Sequence, residues 1–365
     1  MSEVSGSRQK VFGVASAFLG VVIALALVEV ALNVFKPSIN PAGQMDEGFI
    51  LYDSRLGWKL APGWSGRHRH HDFEVRYSVN SLGFRENAMD FARPGSVMFL
   101  GDSFTFGLGV NEDELFTERL DESSDQTFLN AGVPGYSTDQ QLLLLDQLLQ
   151  FRPDRLVWVV YLGNDLLDNG EPFPLQAAHG KPFMKLQSGG GLDLQNVPVP
   201  LVPKPKPYHS RSVQSEILDG FDPYMFWQPW IDGLAIGRIM NQWVGIDSKG
   251  LGQHLLETTD DQVELFMAII GRGHSILEDS GTNLSVVLLP GQGFTRKGSI
   301  PAVYQKTMAS ILERRLKGAN IPVTSLVEPL EALDNPGQLF HPNEGHLNSA
   351  GHKWLAETLS NASVF

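Results

Sequence analysis

Leu156-Val157-Trp158-Val159-Val160-Tyr161-Leu162 is an almost unbroken apolar run. A stretch this short, rich in β-branched and aromatic residues, reads as a strand, and one without a polar face must be covered on both sides. Segments 97–100, 128–133, 284–289 and 321–326 repeat the pattern. Helical segments fall between and after them: 112–120, 139–151 following a Thr138 N-cap, 303–316 and 347–359. Strands that alternate with helices imply a mostly parallel sheet sandwiched by helices, an α/β fold.

Apolar residues make up 42% of the 365, enough for a core of that kind. The net charge of −13 removes the basic face that nucleic-acid phosphates require, so no nucleic-acid partner is expected. With no cysteine there is no disulfide, thiolate nucleophile or cysteine-bound zinc.

Residues 11–28 carry no charge, and the apolar run continues through Glu29 and Asn33 to Phe35. About 20 helical residues span a ~30 Å hydrocarbon core, whereas a cleavable signal needs only ~7–15 apolar residues. Segment 11–35 therefore reads as an uncleaved transmembrane anchor behind a short tail, 1–10, and the membrane is one partner. No polar face recurs at helical spacing, as a buried soluble helix would show, and Glu29 is expected to snorkel toward the outer interface. Arg8 and Lys10 precede the span and only Lys36 follows closely, which puts the tail in the cytoplasm and the rest beyond the membrane.

Residues 36–95 read as a linker and small accessory strands. Leu56-Gly57-Trp58-Lys59-Leu60 suggests one strand and the alternating Phe73-Glu74-Val75-Arg76-Tyr77-Ser78-Val79 another. The main domain covers 96–365, with an insertion at about 170–281 where the strand–helix rhythm breaks. That insertion holds Ser188-Gly189-Gly190-Gly191 and the aromatic group Tyr224, Phe226, Trp227 and Trp230, which suits core packing, stacking on sugar rings or a place near the bilayer surface. His68, His70, His71 and Asp72 lack a nearby third metal ligand and read as a solvated edge strand. No metal or cofactor is implied.

Three successive strands end in chemically useful residues. The first ends in Gly101-Asp102-Ser103, where small residues let a hydroxyl stand clear of the backbone. The second is followed by Gly135, whose N–H can approach a developing oxyanion, and the third by Gly163-Asn164-Asp165, with a side-chain amide for the same oxygen. His341-Pro342-Asn343-Glu344-Gly345-His346 then lies before the last helix and offers an imidazole and a carboxylate. Singly, these residues read as caps and turns; together they are the groups that acyl transfer needs.

The blocks Gly101-Asp102-Ser103-Phe104, Gly135, Gly163-Asn164-Asp165 and Glu344-Gly345-His346-Leu347-Asn348 resemble the four blocks of the SGNH (GDSL) hydrolase family. Leu56-Gly57-Trp58 and Asn80-Ser81-Leu82-Gly83-Phe84-Arg85 are similar to a membrane-anchored bacterial branch of it. The resemblance implies a flavodoxin-like three-layer α/β/α sandwich with Ser103 as nucleophile and His346 as base. It also implies an oxyanion hole from the Ser103 and Gly135 N–H groups and the Asn164 amide. The family's usual acid position holds Asn343 here. Glu344 is the nearest substitute, against a Ser–His dyad oriented by a backbone carbonyl, and Asp102 and Asp165 are read as structural. The implied protein is a serine esterase in the bacterial inner membrane, facing the periplasm or exterior. Its expected partner is an acylated small molecule or glycan, with O-acetyl groups on an envelope or exported glycan as the expected substrate. An O-acyltransferase and a non-catalytic envelope scaffold are the alternatives.

Overall fold

The computed structural model describes residues 3–35, 43–85, 96–174, 179–204, 236, 255–257 and 259–365. The chain divides into two units: Met1–Ala42 with Asp222–Val244, and Gly43–Phe221 with Gly245–Phe365. In the first, α1 (Glu3–Phe35) runs unbroken. Its stretch Phe12–Leu32, of mean hydropathy 2.4 and with none of it buried, is long and apolar enough to cross a membrane. The aromatic group at 224–230 lies outside the described residues.

The second unit opens with five short strands: β1 (Gln44–Met45), β2 (Ile50–Asp53), β3 (Gly57–Leu60), β4 (Ser65–Arg69) and β5 (Glu74–Ser78). Strands β2 and β3 form an antiparallel pair, and β4 lies between β1 and β5 in an antiparallel sheet. The edge-strand expectation for the histidine cluster is therefore wrong. His68 lies on the middle strand, and alternation turns it to the buried face while Arg67 points outward.

The main layer follows in chain order: β6 (Val97–Gly101), α2 (Ser103–Phe106), α3 (Phe116–Ser123), β7 (Phe128–Gly132), α4 (Thr138–Leu148), β8 (Arg155–Tyr161) and α5 (Asp165–Asp168). The hairpin β9 (Phe183–Leu186) and β10 (Leu192–Gln195) comes next. The chain closes with α6 (Asp260–Ser280), β11 (Asn283–Leu289), α7 (Ile300–Gly318), β12 (Val323–Ser325), α8 (Val327–Glu331) and α9 (Ser349–Asn361). The sheet runs β7-β6-β8-β11-β12 and is parallel at every pairing. Helices α3 and α9 pack on each other, and α6 packs on α4 and α7. Right-handed crossovers put these two sets on opposite faces, giving a three-layer α/β/α arrangement.

Three local expectations shift. Segment 112–120 is not one helix: a single 3-10 turn at Glu112–Glu114 is closed by the Glu114 carboxylate accepting the Asn111 N–H, and α3 starts only at Phe116. Ser137, not Thr138, caps α4, and Thr138 instead hydrogen-bonds Asn169. Within 170–281, residues 260–280 form the helix that carries the chain from β8 to β11. Val263, Phe266, Ile269, Ile270, Gly273 and Leu277 are its buried stripe, with the spacing of a helix face. A Cβ on Gly273 would sit 2.4 Å from the Trp158 ring, so this glycine sets how closely α6 approaches β8.

A buried ion pair ties the segment after β8 to α4. Lys181 Nζ lies 2.8 and 2.7 Å from the two Asp139 carboxylate oxygens, and both side chains are sealed from solvent. The same carboxylate accepts from the Ser137 hydroxyl and the Gln140 N–H. Lys181→Met leaves that carboxylate buried without its cation and should cost about 3–5 kcal/mol in urea unfolding. Adding Asp139→Asn, which keeps an acceptor but removes the charge, should recover more than half of the loss.

Candidate active site

Strand β6 ends in a turn tight enough to exclude side chains. A Cβ on Gly101 would meet Thr105 Oγ1 at 2.1 Å, so a glycine is needed there. Asp102 caps α2, its carboxylate accepting the Phe104 N–H at 2.9 Å, and is spent on the backbone as the sequence suggested. Ser103 is thereby the first residue of a one-turn helix, and its backbone N–H has no partner among the described residues. From Asn80-Ser81-Leu82-Gly83-Phe84-Arg85, the buried Arg85 guanidinium donates to the carbonyls of Phe106, Gly107 and Val110. It thus holds the buried carbonyl end of α2.

The loop before α9 supplies the imidazole. The Gly345 N–H donates to His341 O and the His341 N–H to His346 O, closing a compact turn in which Gly345 has φ +95°. His346 Nε2 lies 2.7 Å from Ser103 Oγ, and its Nδ1 lies 2.7 Å from Glu344 Oε1. Glu344 Oε2 also accepts the His346 backbone N–H at 3.0 Å. Burial pushes the Glu344 carboxyl up, but the hydrogen bonds and charge of His346 outweigh it and hold it below its usual range. An ionised carboxylate can only accept, so Nδ1 carries the proton and Nε2 accepts from the Ser103 hydroxyl. Ser103, His346 and Glu344 thus form one hydrogen-bonded line, and Nδ1 meets Glu344 rather than a backbone carbonyl.

Asn343 turns the other way. Its N–H and Nδ2–H, with the Glu344 N–H, donate to the Asp72 carboxylate at 2.8, 2.6 and 2.9 Å. Burial would raise the Asp72 carboxyl, but these bonds leave it below its ordinary value. Asp72 belongs to the accessory layer, so that layer holds the base loop in place. Sequence reasoning placed Asp72 only in a solvated edge strand, because its partners lie far along the chain.

Gly135 has φ +81°, which only glycine adopts without strain, and its N–H has no partner among the described residues. Trp58 braces the loop by donating its indole N–H to Pro134 O at 3.0 Å. Asn164 is buried, and one N–H of its amide donates to Asp168 Oδ2 at 3.0 Å, leaving a second N–H on that nitrogen. Ser103, Gly135, Glu344 and His346 share a cavity of about 550 Å³, which Asn164 does not line. Met45, Phe49, Ile50, Leu108 and Val199 make much of its wall.

Behind the serine the carboxyls are crowded. Asp165 Oδ2 accepts the Tyr161 N–H at 2.9 Å and its Oδ1 is buried without a partner among the described residues. Burial, followed by the charge of Asp102, raises the Asp165 carboxyl well above its ordinary value. Burial pushes Asp102 up to about 6.

No family model and no curated protein matches the chain. Solved structures do. A psychrotrophic esterase, EstA, from Pseudoalteromonas sp. is 13% identical, with a TM-score of 0.36, covering 74% of this chain and 96% of its own. A member of the lipolytic protein G-D-S-L family from Veillonella parvula is 14% identical, at 0.36, covering 74% and 97%. A GDSL-like lipase from Bacteroides thetaiotaomicron is 11% identical, at 0.36, covering 73% and 87%. Similarities of this size carry no argument about activity, which rests on the geometry above.

A carboxyl whose pKa is raised by folding keeps a proton that the unfolded chain releases. Its presence therefore lowers stability as pH climbs from the unfolded value of 3.8 through the folded one. Asp165→Asn can still accept the Tyr161 N–H and removes that penalty. Its melting temperature relative to the natural chain should rise between pH 4 and pH 8, as read by calorimetry. An offset equal at both pH values would show that Asp165 ionises freely in the folded state.

Proposed function

We propose that the chain is a serine esterase, and the Ser103–His346–Glu344 hydrogen-bonded line is the observation that carries this reading. Ser103 Oγ attacks an ester carbonyl while its proton passes to His346 Nε2, and Glu344 steadies the imidazolium. The carbonyl electron pair moves onto oxygen, which accepts from the N–H groups of Ser103 and Gly135, both on the cavity wall. Collapse breaks the bond to the alcohol oxygen, which takes the proton from His346. Water then attacks the acyl-enzyme, gives a proton to His346 and releases the acid, and the proton returns to Ser103.

The strand order β7-β6-β8-β11-β12 supports a flavodoxin-like reading of the fold. Such sheets bind ligands at the carboxyl ends of the strands where the order reverses, here between β6 and β8. We read α1 as a single-pass anchor in a bacterial inner membrane, with Arg8 and Lys10 on the cytoplasmic side and the esterase beyond it. From that location an O-acetyl group on an envelope glycan was the expected substrate. The cavity wall of Met45, Phe49, Ile50, Leu108 and Val199 suits something else better, an O-acyl ester whose apolar part fills it.

A fluorophosphonate probe should label the natural chain and leave Ser103→Ala unlabelled. Ser103→Ala and His346→Ala should each lower kcat/KM on p-nitrophenyl esters by about 10⁴-fold, and Glu344→Gln by about 10²-fold. A Glu344→Gln enzyme of undiminished activity would remove Glu344 from the mechanism. A folded natural chain that takes no label would favour the scaffold reading.

A further inference from the structure

His68 is 8% exposed and lines the cavity that holds Ser103 and His346. Its Nδ1 lies 2.9 Å from the Tyr77 hydroxyl, and that hydroxyl also accepts the Gly109 N–H at 2.8 Å. A backbone N–H can only donate, so the phenolic oxygen accepts on that side, and with no other acceptor for it among the described residues its single proton goes to Nδ1. His68 is therefore the neutral tautomer with its proton on Nε2. The rest of the cluster holds this arrangement in place. Gly109 O accepts from His341 Nε2–H at 3.1 Å, and the Arg85 guanidinium lies 4.4 Å from the Tyr77 ring centroid. Burial pushes the His68 imidazole down to about 4, against the pull of Glu344, so the ring stays neutral through ordinary pH.

The Nε2–H that results has no partner among the described residues. Other donors on the cavity wall are spent or wet. The Tyr52 hydroxyl donates to Val199 O and the Trp58 indole to Pro134 O, while His179 is exposed. Much of what remains of the wall is hydrocarbon. A fixed neutral donor in such a surface selects for an acceptor at one depth, because leaving it unpaired under a bound chain costs a hydrogen bond.

Building on the esterase reading, we propose that His68 Nε2–H positions the substrate by donating to an oxygen carried in the apolar part of the ester. The substrate class is then a hydroxy-, alkoxy- or oxo-substituted aliphatic ester, rather than a plain hydrocarbon ester or a polyol. His68 acts by setting the depth to which the chain enters before Ser103 attacks.

The test uses the full chain in detergent and two ester series. One is p-nitrophenyl hexanoate and its analogues with successive chain methylenes replaced by an ether oxygen. The other is hexyl acetate and the matching oxygen-substituted alkyl acetates. At one position in one series, the natural chain should prefer the oxygen ester over its parent by about three- to tenfold in kcat/KM, expressed mainly in KM. His68→Phe should bring that ratio to about one. Tyr77→Phe, which keeps the ring but frees the tautomer, should lower it partway. The ratio is internal to each variant, and fluorophosphonate labelling of Ser103 confirms that each is folded. A natural chain that labels and hydrolyses the parent esters, yet shows no oxygen preference or one that both variants retain, overturns the role of His68. A natural chain that neither labels nor hydrolyses overturns the esterase reading itself.

Discussion

Everything in the second unit depends on a parallel sheet buried on both faces. Strands β6 and β7 are buried along their whole length and β8 through its interior, so no face of this sheet can be left to water. Helices must cover both sides, and each helix returns the chain to the same end of the sheet. Residues that follow β6, β7 and β8 are thereby brought to one edge without any interaction between them to draw them there. Ser103, Gly135 and Asn164 follow the same end of the sheet because the sheet is parallel, not because they attract one another.

The accessory strands complete what the sheet begins. Trp58 braces the Gly135 loop, Arg85 holds the carbonyl end of α2, and Asp72 takes three N–H groups from Asn343 and Glu344. All of these bonds but the one from the Asn343 side-chain amide join backbone to a side chain from 43–85, so this layer also fixes the loops around Ser103, Gly135 and His346. A substitution of Arg85 or Asp72, which do not line the cavity, therefore reaches the site through geometry rather than through contact with substrate. Met45, Phe49 and Ile50 of the apolar wall, and His68, belong to this layer too.

Much of this was legible in the chain. The doubly buried strands show as apolar runs because covering two faces leaves no room for alternation, and Gly-Asp-Ser shows because its turn admits little else. Segment 260–280 carried a readable helical stripe, from Val263 to Leu277, inside a stretch taken for insertion. Strands β1 and β2 were not legible, since two to four residues contain too little periodicity to separate from a loop. His68 was misplaced for another reason: alternation shows that two faces exist, not which one is covered.

The sequence by itself determined the central strands, the long apolar helix α1 and the turn that presents Ser103, because periodicity and turn sterics act between near neighbours. It also narrowed the candidate base to the loop containing His346. Only the tertiary structure decided that Glu344 faces Nδ1 while Asn343 turns to Asp72, and that His68 meets the Tyr77 hydroxyl beside the cavity. Those outcomes depend on hydrogen bonds between segments far apart in the chain, whose donors and acceptors acquire their partners only once the sheet and its accessory layer have packed.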